Sequence, residues 1–428
     1  MILFLCLILM LALIMIRVPV AFAIFFSGAV GIFLGNSIET LIFVVGYSVP
    51  SAINSYTLAA IPLFIFMAQL VLSSGVLDEL FDAARILSGK IKGGTGIAAI
   101  GAGSLFAAVS GSSTAAAATL ASTSSTYMIE QGYSPRLSTG MVAVVGTLAA
   151  MVPPSILLVF YAITAEISVG KMLVAGFVPG ALVSLALISV LVLYAYLSPS
   201  QIPSGESYTA KEKLLKIKAL WPIAILFSIV VGTIYLGLAT PTEAAALGCL
   251  GGFLLSLANR KMNLKVLTKC LKEALASSVM IMFIIVGAHI FGHLLVESRA
   301  TFTLISWIEG LGVEPIFVIL LLGFFYILLG FFMDQVAIIA LTVPVTVPLI
   351  MSLGYDPVWF GVLIILLAEV GLVTPPLGLN VFVVSRVTGV PVEEVFKGVL
   401  PFIAAMLAVA ALVILLPDLI LFLPNTMG

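Results

Sequence analysis

The tetrapeptide Gly132-Tyr133-Ser134-Pro135 returns as Gly354-Tyr355-Asp356-Pro357, 222 positions later. Pro153-Pro154 returns as Pro375-Pro376, Gly176 and Pro179 as Gly398 and Pro401, and Pro19 as Pro241, all at the same offset. One gap-free spacing that begins near the start of each half signals a duplication, so the chain must fold as two copies of one supersecondary plan.

Composition says in which solvent. The chain has 428 residues, of which 62% are hydrophobic and 9% charged, against about 25% charged in soluble domains. Apolar runs of roughly 18 residues or more recur from end to end, the pattern of a polytopic helical membrane protein embedded in a lipid bilayer. A net charge of −1 points to neither acidic nor basic partners, and no basic patch suggests a nucleic-acid partner. Cys6, Cys249 and Cys270 lie too far apart in sequence to read as a disulfide framework or a metal motif. The apolar start from Ile2 has no basic segment before it and no small-residue cleavage site, so a retained helix is expected, not a signal peptide.

The pattern divides the chain into repeat 1 (1–198), a cytoplasmic linker (199–218) and repeat 2 (219–428). In repeat 1 we expect scaffold helices over 1–75, broken at Pro19 and irregular or interfacial over 41–57. An amphipathic arm follows over 76–92, then a hairpin over 93–130 and a broken helix over 138–166. In repeat 2 the same units fall at 219–296, 297–314, 315–351 and 358–386. The first hairpin is rich in Gly, Ala, Ser and Thr and turns at Ser110-Gly111-Ser112-Ser113. Small residues let helices approach closely, which explains part of that composition. Hydroxyls and bare backbone at membrane depth need protein, water, an ion or a substrate against them.

Charge orients the halves. Ser88-Gly89-Lys90-Ile91-Lys92 is basic where its counterpart Gly310-Leu311-Gly312-Val313-Glu314 is acidic, and Gly35–Glu39 lacks the Arg260 and Lys261 of its own counterpart. Because Lys and Arg collect on the cytoplasmic side, corresponding loops lie on opposite sides and the repeats are inverted. The topology that follows puts both termini outside and residues 76–93, 199–218 and 259–272 inside. The two hairpins are then re-entrant from opposite faces.

The offset carries Ser112 onto Asp334, an acid deep in apolar sequence. An intramembrane carboxylate is a functional candidate, and capping a helix is its structural alternative. Val152-Pro153-Pro154-Ser155 and Thr374-Pro375-Pro376 break two helices. Prolines free carbonyls one turn back, which suit a hard cation such as sodium, and the half-helix N-termini suit an anion. His289 and His293 share a helix face with only Glu297 near, so packing is expected and no transition metal. Glu243 in Thr240-Pro241-Thr242-Glu243 reads as a cap for its own helix. No His or Lys lies in apolar sequence near Ser110–Ser113, so hydrolase chemistry is not expected and the chain is read as no enzyme.

Ile61-Pro62-Leu63-Phe64, Ser110-Gly111-Ser112-Ser113, Gly146-Thr147-Leu148 with Val152-Pro153-Pro154-Ser155, Ala239-Thr240-Pro241-Thr242-Glu243-Ala244 and Thr374-Pro375-Pro376-Leu377-Gly378-Leu379-Asn380 together resemble the large membrane (M) subunit of tripartite ATP-independent periplasmic (TRAP) transporters, nearly end to end. The resemblance implies an all-α elevator-type transporter in the bacterial inner membrane. It would be a sodium-driven symporter importing organic acids such as sialic acid or C4-dicarboxylates. A periplasmic substrate-binding (P) protein and a small membrane (Q) subunit are its implied partners. Sodium would bind at Ser110, Gly111, Gly330 and Met333, with Thr147 and Thr374 nearby and the breaks at Pro153 and Pro375 contributing. Substrate contact would fall to Ser110, Ser112, Ser113, Ser155 and Asp334. The chain departs from the family pattern at Ala118-Thr119-Leu120-Ala121, where a glycine usually follows the alanine run, and at Ala149, where the pattern favours glycine. An inverted-repeat carrier or antiporter that needs no soluble binding protein is the alternative.

Overall fold

The computed structural model describes residues 2–203, 208–219 and 221–427; linker residues 204–207 and the side chains of Val109 and Lys218 lie outside the described residues. Every regular element among them is helical. Repeat 1 contains α1 (Ile2–Met15), α2 (Val20–Gly35), α3 (Ile38–Ile53), α4 (Ala60–Ser73), α5 (Val76–Ser88), α6 (Gly94–Ser110), α7 (Ser113–Leu120), α8 (Thr126–Glu130), α9 (Pro135–Val145), α10 (Ile156–Thr164), α11 (Val169–Ala175) and α12 (Phe177–Leu197). The linker carries α13 (Ala210–Ala219). Repeat 2 contains α14 (Trp221–Tyr235), α15 (Pro241–Ala258), α16 (Leu264–Glu297), α17 (Ala300–Gly310), α18 (Pro315–Phe332), α19 (Gln335–Ser352), α20 (Pro357–Val373), α21 (Leu379–Thr388), α22 (Val392–Leu415) and α23 (Pro417–Asn425).

Adding 222 to the bounds of one half lands within a few residues of the other. α2 falls on α15, α5 on α17, α6 on α18, α9 with its following 3₁₀ turn on α20, and α10 on α21. Both double prolines are cis, Pro153-Pro154 and Pro375-Pro376. Between α7 and α8 the chain makes a π-helical turn over Ala121–Ser125, where α19 runs unbroken apart from Pro344 and Pro348.

One expectation needs correction. Residues 41–53 are not irregular: α3 is regular from Ile38 to Ile53, and at its start Ser37 Oγ accepts from Thr40 N at 3.2 Å. The irregularity is confined to Asn54 and Ser55 before the 3₁₀ turn Tyr56–Ala59. Pro50 falls in the last turn of α3, so it removes one hydrogen bond and leaves the helix intact. After the loop 261–263, α16 runs for 34 residues, a span of roughly 50 Å. That exceeds a hydrocarbon core of about 30 Å, so the end bearing Lys265, Lys269 and Lys272 projects beyond it.

Seven helical segments among the described residues are long and apolar enough to cross a membrane. Their outward faces carry large exposed apolar side chains, such as Leu321, Phe324 and Phe332 on α18 and Leu250 and Leu254 on α15. The centre is α20, in which every residue from Val358 to Val373 is buried and Trp359 Nε1 donates to Val413 O at 2.8 Å. Glycines set the closest approaches. A Cβ on Gly398 would lie 2.0 Å from Arg136 O, fixing the crossing of α9 and α22. A Cβ on Gly330 would lie 2.5 Å from Ala368 O, fixing that of α18 and α20. Backbones in such contact gain packing that lipid cannot supply.

Candidate substrate and ion site

The hairpins present their tips to one cavity of about 370 Å³. Hairpin 1 supplies Ser110 to Ala115 and hairpin 2 supplies Asp334, Gln335 and Val336. Ile156, Leu157, Leu372 and Leu379 come from the broken helices, and α4 and α16 close the far wall with Gln69 and Ser277 among apolar residues.

Local chemistry explains why the chain breaks there. Gly111 has φ +61°, a left-handed conformation, and a Cβ on it would sit 2.4 Å from Ile156 Cδ1. Ser112 then N-caps α7, its Oγ accepting from Ala115 N at 3.4 Å. Asp334 does the same for α19, its Oδ1 accepting from Val336 N at 2.7 Å and Ala337 N at 3.4 Å. In repeat 1 the broken helix restarts at α10 under the Ser155 N-cap, and in repeat 2 at α21 after Gly378 at φ +45°.

Four helices therefore begin at the cavity: α7, α10, α19 and α21 each place first-turn residues in its lining. Their unpaired N–H groups and dipoles favour negative charge. The lining holds one carboxylate, Asp334, and no Lys, Arg or His.

Of the residues nominated from sequence, Ser110, Gly111, Ser112, Ser113 and Asp334 line this cavity. Ser155 is placed differently from the substrate contact expected of it. It is 1% exposed, and its Oγ donates to Ala150 O at 2.7 Å and accepts from Leu158 N at 3.4 Å. Because Pro154 has no N–H to offer the Ala150 carbonyl, that hydroxyl replaces the missing donor. Thr147 and Thr374 donate to carbonyls of their own helices, Val144 O and Val370 O, both at 2.6 Å. Gly330 lies at the α18–α20 contact, and Met333 is buried in the extended residue before Asp334. Pro153 and Pro375 begin the two cis turns.

Sequence reasoning missed Glu369. It is fully buried in α20, accepts a short hydrogen bond from Ser113 Oγ, and has Gln335 as its other polar neighbour. The signal was present: 222 residues after Thr147 is Glu369, and 222 after Ser113 is Gln335.

Glu243 closes a capping box on α15, with Thr240 N and Thr240 Oγ1 both donating to its Oε2 at 2.8 Å. His289 Nδ1 lies 3.0 Å from Ile285 O, and Asn36 Nδ2 donates to Glu297 at 2.5 Å.

Opposed hairpins, broken helices and a cavity at their meeting point define an inverted-repeat membrane transporter. The comparisons with known proteins make the class specific. Residues 7–419 match the family described as "Tripartite ATP-independent periplasmic transporter, DctM component", and the chain belongs to that family. It is 38% identical over 375 residues to the C4-dicarboxylate TRAP transporter large permease protein DctM of Pseudomonas aeruginosa, covering 87% of each chain. It is 30% identical over 408 residues to the sialic acid TRAP transporter large permease protein SiaM of Vibrio cholerae, covering 95% of each. Its fold is similar to the crystal structure of the Alcanivorax borkumensis YdaH transporter, with a TM-score of 0.65 at 13% identity, covering 89% of this chain and 90% of that one.

Proposed function

We propose that this permease imports a small organic acid across the bacterial inner membrane, driven by a sodium gradient. The observation that carries this reading is the convergence of four helix N-termini on a cavity without a basic side chain. Such a site attracts an anion, but Asp334 adds a negative charge of its own. An organic acid beside it needs cationic company, and co-transported sodium supplies it. The relatives named for C4-dicarboxylate and sialic acid transport both carry carboxylates.

Substrate contact falls to Ser110, Ser112, Ser113 and Asp334, with Ser155 acting through the α10 terminus it caps. Sodium falls to the carbonyls and hydroxyls around Ser110, Gly111, Gly330 and Met333, and to the breaks at Thr147, Pro153, Thr374 and Pro375. Each proline there denies its helix a donor. The hairpins and broken helices move together as an elevator against a scaffold that includes α4 and α16, whose residues form the cavity's far wall. Sodium couples to transport by binding one arrangement of the tips more tightly than the other.

The basic side of the molecule lies in the cytoplasm. Lys213 Nζ donates to Leu87 O at 3.2 Å and Lys216 pairs with Asp82 at 3.4 Å, which seats the basic linker helix α13 on arm α5 beside Lys90 and Lys92. Both termini are then periplasmic. A periplasmic binding protein delivers the substrate, and a small membrane subunit completes the permease.

Uptake into proteoliposomes containing this chain, its small subunit and its binding protein is the test. Accumulation that follows an imposed sodium gradient and needs the binding protein is the expected result. Uptake indifferent to sodium removes the coupling, and uptake of free substrate without the binding protein favours a self-sufficient carrier.

A further inference from the structure

Glu369 is the only ionisable residue in α20, sits at the buried centre of the protein and is 0% exposed. Behind the cavity wall it meets the first residue of α7 and the first residue of α19, one from each hairpin. Ser113 Oγ donates to Glu369 Oε1, so hairpin 1 is already held. Hairpin 2 is held only loosely. Gln335 is 5% exposed and its side chain comes within reach of the same carboxyl, yet no well-aligned hydrogen bond joins them, and Gln335 Nε2 and Glu369 Oε2 are both buried without one. A buried donor and a buried acceptor left side by side and unpaired are costly, and each needs an explanation.

The repeat sharpens the point. Ser113 and Gln335 are equivalent positions, but the position equivalent to Glu369 is Thr147, whose hydroxyl is spent on Val144 O of its own helix. Glu369 in repeat 2 thus has no counterpart among the described residues of repeat 1 at the equivalent position. Gly330 and Gly371 bring the α18 and α20 backbones together beside it, with a Cβ on Gly371 meeting Gly330 Cα at 2.7 Å. That packing leaves the carboxyl little freedom to serve any other partner.

We propose that Glu369 is a positioning residue that joins the two hairpin tips into one unit, holding hairpin 1 through Ser113 and engaging hairpin 2 through Gln335 when the cavity fills. The proposal rests on the transport-site reading. A small turn of the Gln335 amide satisfies both orphaned atoms, and Ser113 and Gln335 both line the cavity, so cargo that settles against them biases the latch. Cargo sensed at one tip then alters the other without direct contact between the tips.

The test is a triple-mutant cycle on the complete transporter in proteoliposomes, reading half-saturating substrate concentration and half-saturating sodium. Ser113→Ala and Gln335→Ala are made singly and together, in the wild type and in Glu369→Leu. In the wild type the two losses are expected to be non-additive by about fivefold or more. In Glu369→Leu that coupling falls to within about twofold of additive. Losses that multiply independently in the wild type overturn the proposal, as does coupling that survives without Glu369.

Glu369→Gln serves where the leucine variant does not fold. It still accepts from Ser113 but replaces the carboxylate by a neutral amide, so the charge-assisted bond to Gln335 is lost and the coupling is expected to weaken while hairpin 1 stays held. The swap Glu369→Gln with Gln335→Glu restores a carboxylate–amide pair and is expected to recover most of the lost coupling; a swap no better than the single variant counts against the latch. A second readout needs no transport. In the purified wild-type protein with sodium and substrate, Ser113→Ala is expected to speed amide exchange at Val336 and Ala337 in the other hairpin. Exchange that changes only in hairpin 1 overturns the proposal. Uptake that ignores sodium would sink the coupling reading instead, and would leave the substrate and exchange measurements to judge Glu369.

Discussion

Ser112 and Asp334 occupy the same place in the two halves of the protein: each is the N-cap of the second helix of a hairpin, and each lines the same cavity. A hydroxyl stands on one side of the pseudo-two-fold axis and a carboxylate on the other. Duplication preserved the capping role, which either residue type fills well. It did not preserve charge, and that asymmetry gives the cavity its single acid.

Asp334→Ala removes both the cap and the charge, whereas Asp334→Asn keeps an N-cap and removes only the charge. Uptake is expected to fall at least about tenfold in both, equivalent to about 1.4 kcal/mol or more, while only the alanine variant also loses about 1 kcal/mol of stability with its cap. Initial rates in proteoliposomes, set beside thermal melts of the purified variants, separate the two effects. Wild-type uptake by Asp334→Asn would take the charge out of the mechanism.

Ser155→Ala tests the role its geometry assigns. Loss of the hydroxyl strips the cap from α10 and the donor from Ala150 O, which is expected to lower stability by about 1 kcal/mol. The effect on half-saturating substrate should be small beside that of Ser112→Ala. A melting curve and a substrate titration on each variant are sufficient, and a larger substrate effect at Ser155 would return it to the list of direct contacts.

Gly398→Ala places a methyl group 2.0 Å from Arg136 O, where no flexible side chain can yield. The α9 and α22 backbones have to separate, at an expected cost of about 1–3 kcal/mol. Reduced recovery of folded protein from detergent and a lowered melting temperature are the readouts. An unchanged melting temperature would mean that this crossing does not depend on glycine at position 398.

Glu243→Ala and Thr240→Ala address another acid in apolar sequence. Both break the capping box of α15, and each is expected to cost about 1 kcal/mol or less. Sodium dependence should be unaltered in both, because neither residue lines the cavity. Altered half-saturation by sodium would place Glu243 in the ion path after all.

The helices were legible because their causes are local or repeated. Apolar length marks a membrane helix, proline marks a break, and a polar residue after a turn marks a cap. Errors arose where a local signal was weak beside its context. Pro50 suggested irregularity over 41–57, yet a proline in a last turn is tolerated and α3 is regular. Ser155 was a substrate contact implied by the resemblance, and the fold shows its hydroxyl donating to Ala150 O and capping α10.

Membrane residence, the duplication, the inverted halves and the polar tips at Ser110–Ser113 and Asp334 follow from the chain alone, since hydrophobic length, charge bias and a constant offset are properties of order along a sequence. Which side chains meet is a property of packing. Ser113, Gln335 and Glu369 are separated by more than two hundred residues or by a helix, and only the close crossing of α18 and α20 at Gly330 and Gly371, together with the seating of α7 beside them, brings them to one carboxyl. The four helix N-termini likewise share a cavity only because both breaks and both tips arrive at one place. The tertiary structure decided that convergence, and with it the character of the site.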